Sequence, residues 1–178
     1  AVVKFDASGK TLWSRSFYDP TTTDSVHFPN GVATDADGNV AVVGNYNGTL
    51  DFGKGTPMKS TGANPDETDI FVVKLAKDGS PLWGKTFGAG GYEEANRVTF
   101  DPAGNILITG TLGEPVDFGG GPIGAPESDG TTCAFVVKLD PSGKHLFSRS
   151  YCGLPGLGGA VGNDVAAYQA GSVLLTGS

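Results

Sequence analysis

Basic residues are scarce in this chain, and so are the side chains on which catalysis most often depends. Twelve Lys and Arg stand against nineteen Asp and Glu in 178 residues, a formal net charge of −7. A surface that condenses on nucleic acid needs clustered Lys and Arg to neutralise phosphates, so this balance argues against DNA and RNA partners. Long apolar runs are missing too. Ile106-Leu107-Ile108 and Val173-Leu174-Leu175 fall far short of the roughly 20 residues that cross a bilayer as a helix. The first residues, Ala-Val-Val-Lys-Phe, read as strand, without the charged and apolar regions of an export signal. The expectation is a removed signal or a fragment. Only two histidines occur, His27 and His145, no Gly-x-Ser-x-Gly elbow is found, and no enzyme signature emerges. Helical periodicity is absent as well, because Gly and Pro interrupt every long window.

What is abundant is turn chemistry and repetition. Glycine at 29 and proline at 11 follow no collagen-like period and fall between short apolar runs. Three apolar tetrads ending in Lys align: Ala1-Val2-Val3-Lys4, Phe71-Val72-Val73-Lys74 and Phe135-Val136-Val137-Lys138. Each leads through a Gly turn to a second strand, at 12–17, 82–87 and 146–151. Another block recurs as Asn30-Gly31-Val32-Ala33-Thr34-Asp35, as Asn96-Arg97-Val98-Thr99-Phe100-Asp101 and as Asn163-Asp164-Val165. The hairpins carry apolar β-formers about an Asp-x-x-Gly connection, from which the last copy departs with Tyr168 in the Asp place, and the Gly supplies the left-handed conformation of a type I turn with a bulge. In the first full copy strand A spans 31–34, B 40–44, C 70–75 and D 82–87.

Four antiparallel strands recurring at this period predict an all-β chain of β-propeller blades, about three blade equivalents in one domain over 1–178. The units are half a blade at 1–29, whole blades at 30–95 and 96–162, and half a blade at 163–178. Entry at strand C and exit after strand B lead us to expect truncation of a longer chain. The alternative is a homodimer of 3+3 blades closing a six-bladed ring.

The pattern Asn-x-Val-Ala-x-Asp-x-x-Gly-Asn-x-x-x-x-Gly, then Asp-Phe-Gly, then Phe-Val-Val-Lys-Leu-Asp-x-x-Gly-x-x-Leu-Trp, resembles the SBBP-type β-propeller repeats of secreted bacterial surface proteins. The resemblance covers nearly the whole chain. It implies the propeller fold and a secreted or cell-surface location; its motifs are turns and strands, so it implies little about activity. No residues for a quinone or its metal can be matched.

Blade topology puts the A-to-B and C-to-D turns at one end and the B-to-C and D-to-A connections at the other. The long segments 18–29, 45–69, 88–95, 111–133 and 152–162 all belong to the second end and hold twelve acids against two bases, Lys54 and Lys59. An acidic long-loop face is expected, suited to cations or basic partners or simply to solubility. Asp19, Asp24, His27, Tyr46, Tyr92, Glu93 and Glu94 are the candidate ligand-binding residues. Glu93 and Glu94 point apart if they lie on a strand. His145 is expected on a solvent-facing strand. Asp35 and Asp37 have oxygen donors at alternate positions, which makes calcium the cofactor to test, although the turn reading is the stronger. Lys4, Lys74 and Lys138, with the aromatic D-strand residues, suggest structural packing between blades. Asp51-Phe52-Gly53 and Asp117-Phe118-Gly119 read as edge turns.

Cys133 precedes strand C and Cys152 follows strand D of one hairpin. They are disulfide candidates, with the bulged turn expected to shift their pairing by one residue. The leading functional reading is a non-enzymatic extracytoplasmic scaffold whose long-loop face binds a protein, glycan or cation. The alternatives are a hydrolase or lyase with a metal-assisted site, and an architectural spacer in a large surface protein.

Overall fold

The structure, a computed structural model, describes residues 1–17, 25–62, 64, 66–124, 131–153, 158–168 and 171–178. Its strands in chain order are β1 (Val2–Phe5), β2 (Thr11–Arg15), β3 (Val26–Thr34), β4 (Val40–Asn47), β5 (Thr49–Leu50), β6 (Met58–Lys59), β7 (Asp69–Leu75), β8 (Pro81–Phe87), β9 (Glu93–Phe100), β10 (Ile106–Leu112), β11 (Val116–Asp117), β12 (Pro122–Ile123), β13 (Cys133–Leu139), β14 (His145–Cys152), β15 (Gly162–Ala167) and β16 (Val173–Gly177). Two antiparallel meanders, β3-β4-β7-β8 and β9-β10-β13-β14, are flanked by the hairpins β1-β2 and β15-β16. These are propeller blades. No helix among the described residues is long and apolar enough to cross a membrane.

The sheets stack face to face, and strand alternation explains how. Ala41, Val43, Ile70 and Val72 face the next meander and meet Val98, Ile106, Ile108 and Phe135. The intervening Val40, Val42, Phe71 and Val73 face the other way and pack with Val2 and Trp13 of the first hairpin. Leu107 and Val136 meet Val165 and Val173 of the last. Central strands buried on both faces therefore read as continuous apolar runs rather than alternating ones.

Five turns, at 6–9, 35–38, 76–79, 101–104 and 140–143, share one backbone bond from the Gly amide to the carbonyl three residues back, and all but the one that starts at Ala76 add an Asp side chain. In the first meander the Gly38 amide donates to the Asp35 carbonyl at 3.0 Å, with Gly38 at φ 82°. Asp35 Oδ1 accepts from the amides of Asp37 and Asn39. Asp6, Asp101 and Asp140 close their turns the same way. Two of these glycines also serve the neighbouring blade. A Cβ on Gly79 would lie 2.8 Å from the Trp13 ring, and one on Gly143 would lie 3.1 Å from the Trp83 ring. Each indole sits on the next blade's turn and donates to its backbone, Trp13 to the Lys77 carbonyl at 3.0 Å and Trp83 to that of Pro141 at 3.1 Å.

Several expectations need correction. The bulge of the Cys hairpin lies between Lys138 and Leu139, beside the turn, so the strands are back in step beyond it and Cys133 pairs directly with Cys152. The two are joined by a disulfide. The long B-to-C connections do not stay at their own end. They fold back along strand D, where Lys54 Nζ donates to the Leu82 carbonyl at 2.9 Å and Gly120 packs on the His145 ring. Asp51 and Asp117 therefore leave the long-loop face, and His145 is half-buried against the second of these connections rather than open to solvent. Its Nε2 lies 3.1 Å from Ser148 Oγ. The Asp-Phe-Gly segments do more than turn an edge. Each Asp accepts from the Gly amide two residues on, at 2.7 Å in both copies. That turn drives Phe52 and Phe118 into the spaces between sheets.

Candidate functional site

The recurring Asn residues mark the inner rim. Asn30, Asn96 and Asn163 are each the extra residue of a β-bulge, skipped by the pairings of β3, β9 and β15 with their partners. A bulge re-aims its side chain. Asn30 Nδ2 reaches the Ala95 carbonyl at 3.2 Å, and Asn96 Nδ2 reaches that of Gly162 at 3.0 Å. The first strands of neighbouring sheets are thus tied amide to carbonyl. Gly44 and Gly110 stand opposite the bulges, where any Cβ would strike the Phe28 or Glu94 carbonyl. Sequence alone showed that Asn and Gly recur but not that they form one device; the register explains both.

At the short-turn end the charges are matched. Lys138 Nζ lies 2.7 Å from Asp101 Oδ2, and Lys74 Nζ lies 3.5 Å from Asp35 Oδ2, all four side chains being nearly buried. Lys74 also lies over the Phe100 ring and donates to the Pro141 carbonyl. Burial pushes the carboxyls of Asp35 and Asp101 up, but hydrogen bonds from Asn39 and Asn105 and the facing lysines outweigh it and hold both below the ordinary value. A hollow of about 470 Å³ lies between these turns. Asp35 thus spends one oxygen on its own turn and the other on Asn39 and Lys74. A calcium ion there would have to displace the lysine. Among the described residues no group of three or more His, Cys, Asp or Glu is arranged to hold a metal.

The long-loop end is built differently. Glu93 is fully buried at the start of β9. Its Oε2 accepts from the Ala89 amide at 3.2 Å, while Oε1 has no partner. Burial above all, and then the charges of Asp69 and Glu114, push its carboxyl up to about 7 against the pull of the Ala89 amide. Asp69 is also buried and is pushed up by that burial, although Thr61 donates to both its oxygens. Glu94, the next residue, points the other way. Its Oε1 accepts from Asn30 Nδ2 at 3.1 Å and its Oε2 from the Tyr92 hydroxyl at 2.9 Å. Burial, then Glu94, pushes the Tyr92 phenol up to about 12, so the hydroxyl stays a donor.

The candidate residues therefore separate. Tyr92 and Glu94 line a groove of about 580 Å³ with Val26, Phe28, Asn30 and Asp66. Tyr46 does not reach it. Its ring is fully buried against Phe71 and lies over His27, with the Thr86 side chain near its hydroxyl. Burial raises that hydroxyl to about 12. His27 Nε2 is engaged with the Thr49 carbonyl at 2.9 Å. Asp35 and Asp37 belong to the opposite end. Asp19 and Asp24 lie outside the described residues.

No family model matches the chain. An uncharacterized WD repeat-containing protein of Acanthamoeba polyphaga mimivirus is 30% identical over 138 residues, covering 73% of this chain and 9% of that protein. WD repeats fold as four-stranded propeller blades. The chain is built of β-propeller-type repeats. It spans less than a tenth of the length of the relative it matches.

Proposed function

We propose that this chain is part of a non-enzymatic, extracytoplasmic β-propeller scaffold whose long-loop face binds a protein, glycan or cation. The observation that carries the reading is the contrast between the two ends. Carboxylates in the short turns are consumed by turn amides and lysines, whereas the long-loop end presents an open groove with an acidic, aromatic lining. Rigid sheets that hold variable connections are the usual setting for recognition. The WD repeat relative supports a scaffold of this kind. The finer affiliation, with SBBP-type repeats of secreted or cell-surface bacterial proteins, rests on the turn and strand motifs. The Cys133–Cys152 disulfide supports an oxidising location.

Peptide and glycan arrays probed with the wild-type chain, a Tyr92→Ala/Glu94→Gln double variant and an Asp37→Ala control test this directly. Binding that the double variant loses and the control keeps is expected. Binding unaffected by the double variant, or no binding at all, overturns the assignment of the face.

A further inference from the structure

We propose that the groove beside Glu94 receives the arginine side chain of a peptide partner, its guanidinium on the carboxylate and its stem against Tyr92 and Phe28. This rests on the long-loop face being the binding face and names what it takes. Three features of the groove point to a cation that carries apolar surface. The first is a carboxylate held in place before any ligand arrives, since Asn30 and Tyr92 each donate to a different oxygen of Glu94. Each oxygen keeps a further lone pair, which suits a two-pronged donor. The second is that among the described residues no Lys, Arg or His forms an ion pair with Glu94, the pairs there being Lys74 with Asp35, Arg97 with Asp164 and Lys138 with Asp101. The third is aromatic surface left in water: Phe28 is 50% exposed and Tyr92 46%, both on the groove wall.

These features together discriminate among ligands. An anion meets Glu94 and Asp66 and is repelled. A purely apolar segment leaves a preorganised carboxylate desolvated and unpaired, which is costly. A small hard cation gains nothing from the rings. A guanidinium is planar, weakly hydrated and forked, so it pairs with the carboxylate while its face or stem lies on an aromatic ring. Side-chain ordering is also modest, because Glu94 and Tyr92 already hold each other.

The test is a backbone-amide chemical-shift titration of the full 178-residue chain with acetyl-Gly-Arg-Gly-amide, against the isosteric neutral citrulline peptide and the lysine peptide. The arginine peptide should give saturable shifts confined to residues 26–30, 66–68 and 92–95. Citrulline should bind about tenfold more weakly, lysine in between, and Glu94→Gln should cost the arginine peptide the same factor, about 1.4 kcal/mol. A Tyr92→Phe variant, which keeps the ring and removes one bond to Glu94, should weaken binding by a smaller factor. Equal binding of arginine and citrulline peptides, or indifference to Glu94→Gln, overturns the arginine assignment and leaves an apolar groove on the same face. No saturable shift in the groove also overturns it, while groove-dependent capture on the arrays would still uphold the wider reading.

Discussion

The two ends of these blades are made from the same residue types and put them to opposite use. At the short-turn end Asp6, Asp35, Asp101 and Asp140 close their own turns, and hydrogen bonds hold their carboxyls below the ordinary range. At the long-loop end Asp69 and Glu93 are buried and pushed above it. A carboxylate whose donors and facing cation outweigh its burial supports the fold, whereas one whose burial outweighs its donors, as at Asp69 with Thr61 and at Glu93 with Ala89, weakens it once ionised. The turns recur in every repeat because every blade must close. The long connections differ from copy to copy, which leaves room for recognition.

The contrast can be broken most severely at Lys138. Lys138→Met leaves Asp101 buried without its cation and should cost about 3 to 5 kcal/mol of unfolding free energy in urea titrations. The loss should shrink as pH falls through the depressed value of Asp101, because that carboxyl then binds a proton in both states. Cys133→Ser/Cys152→Ser should come next, at about 2 to 4 kcal/mol, given the sequence separation of 19.

Glu93→Gln should act in the other direction. The folded chain holds the Glu93 proton up to about 7, whereas the ordinary value is 4.5. Stability from this group is therefore full below about 4.5 and declines as pH rises toward and through about 7. The variant should gain up to about 3 kcal/mol over wild type at pH 8 and nothing at pH 4. Equal effects at both pH values would remove the claim that the charge at this position opposes folding. Trp83→Phe keeps the aromatic packing but removes the indole bond to Pro141, and should cost about 1 kcal/mol. The smallest effect belongs to Asp37→Ala. Its exposed side chain caps nothing, so the change in midpoint should correspond to less than about 0.5 kcal/mol.

The blade skeleton was legible in the sequence because its turns demand particular residues. A left-handed glycine after Asp and two residues, between β-branched runs, has few other readings, and Gly38, Gly104 and Gly143 stand where that pattern puts them. The Asn bulges were visible only as recurring letters, since their meaning needs the register with β4 and β10. Tyr46 shows why local reasoning fell short at the site. It follows strand B in a segment read as loop, but β4 runs on to Asn47 and carries the ring into the core. Asp51 and Asp117 were assigned to the wrong end for a related reason: chain order says where a connection starts, not that a Phe two residues on will draw it down strand D. Tyr92 and Glu94 were picked out by composition and position. Their link through Asn30 crosses between two blades, and no single-repeat reading could supply it.

The most direct test of the difference between the two ends is amide hydrogen-exchange protection measured residue by residue at pH 5 and pH 8. If carboxylates are satisfied in the turns and strained at the long-loop end, protection around residues 68–69 and 88–94 should fall at pH 8. Amides of Asn39, Asn105 and Lys144 in the turns should keep theirs. A loss spread evenly over both ends, or one concentrated in the turns, would contradict the account.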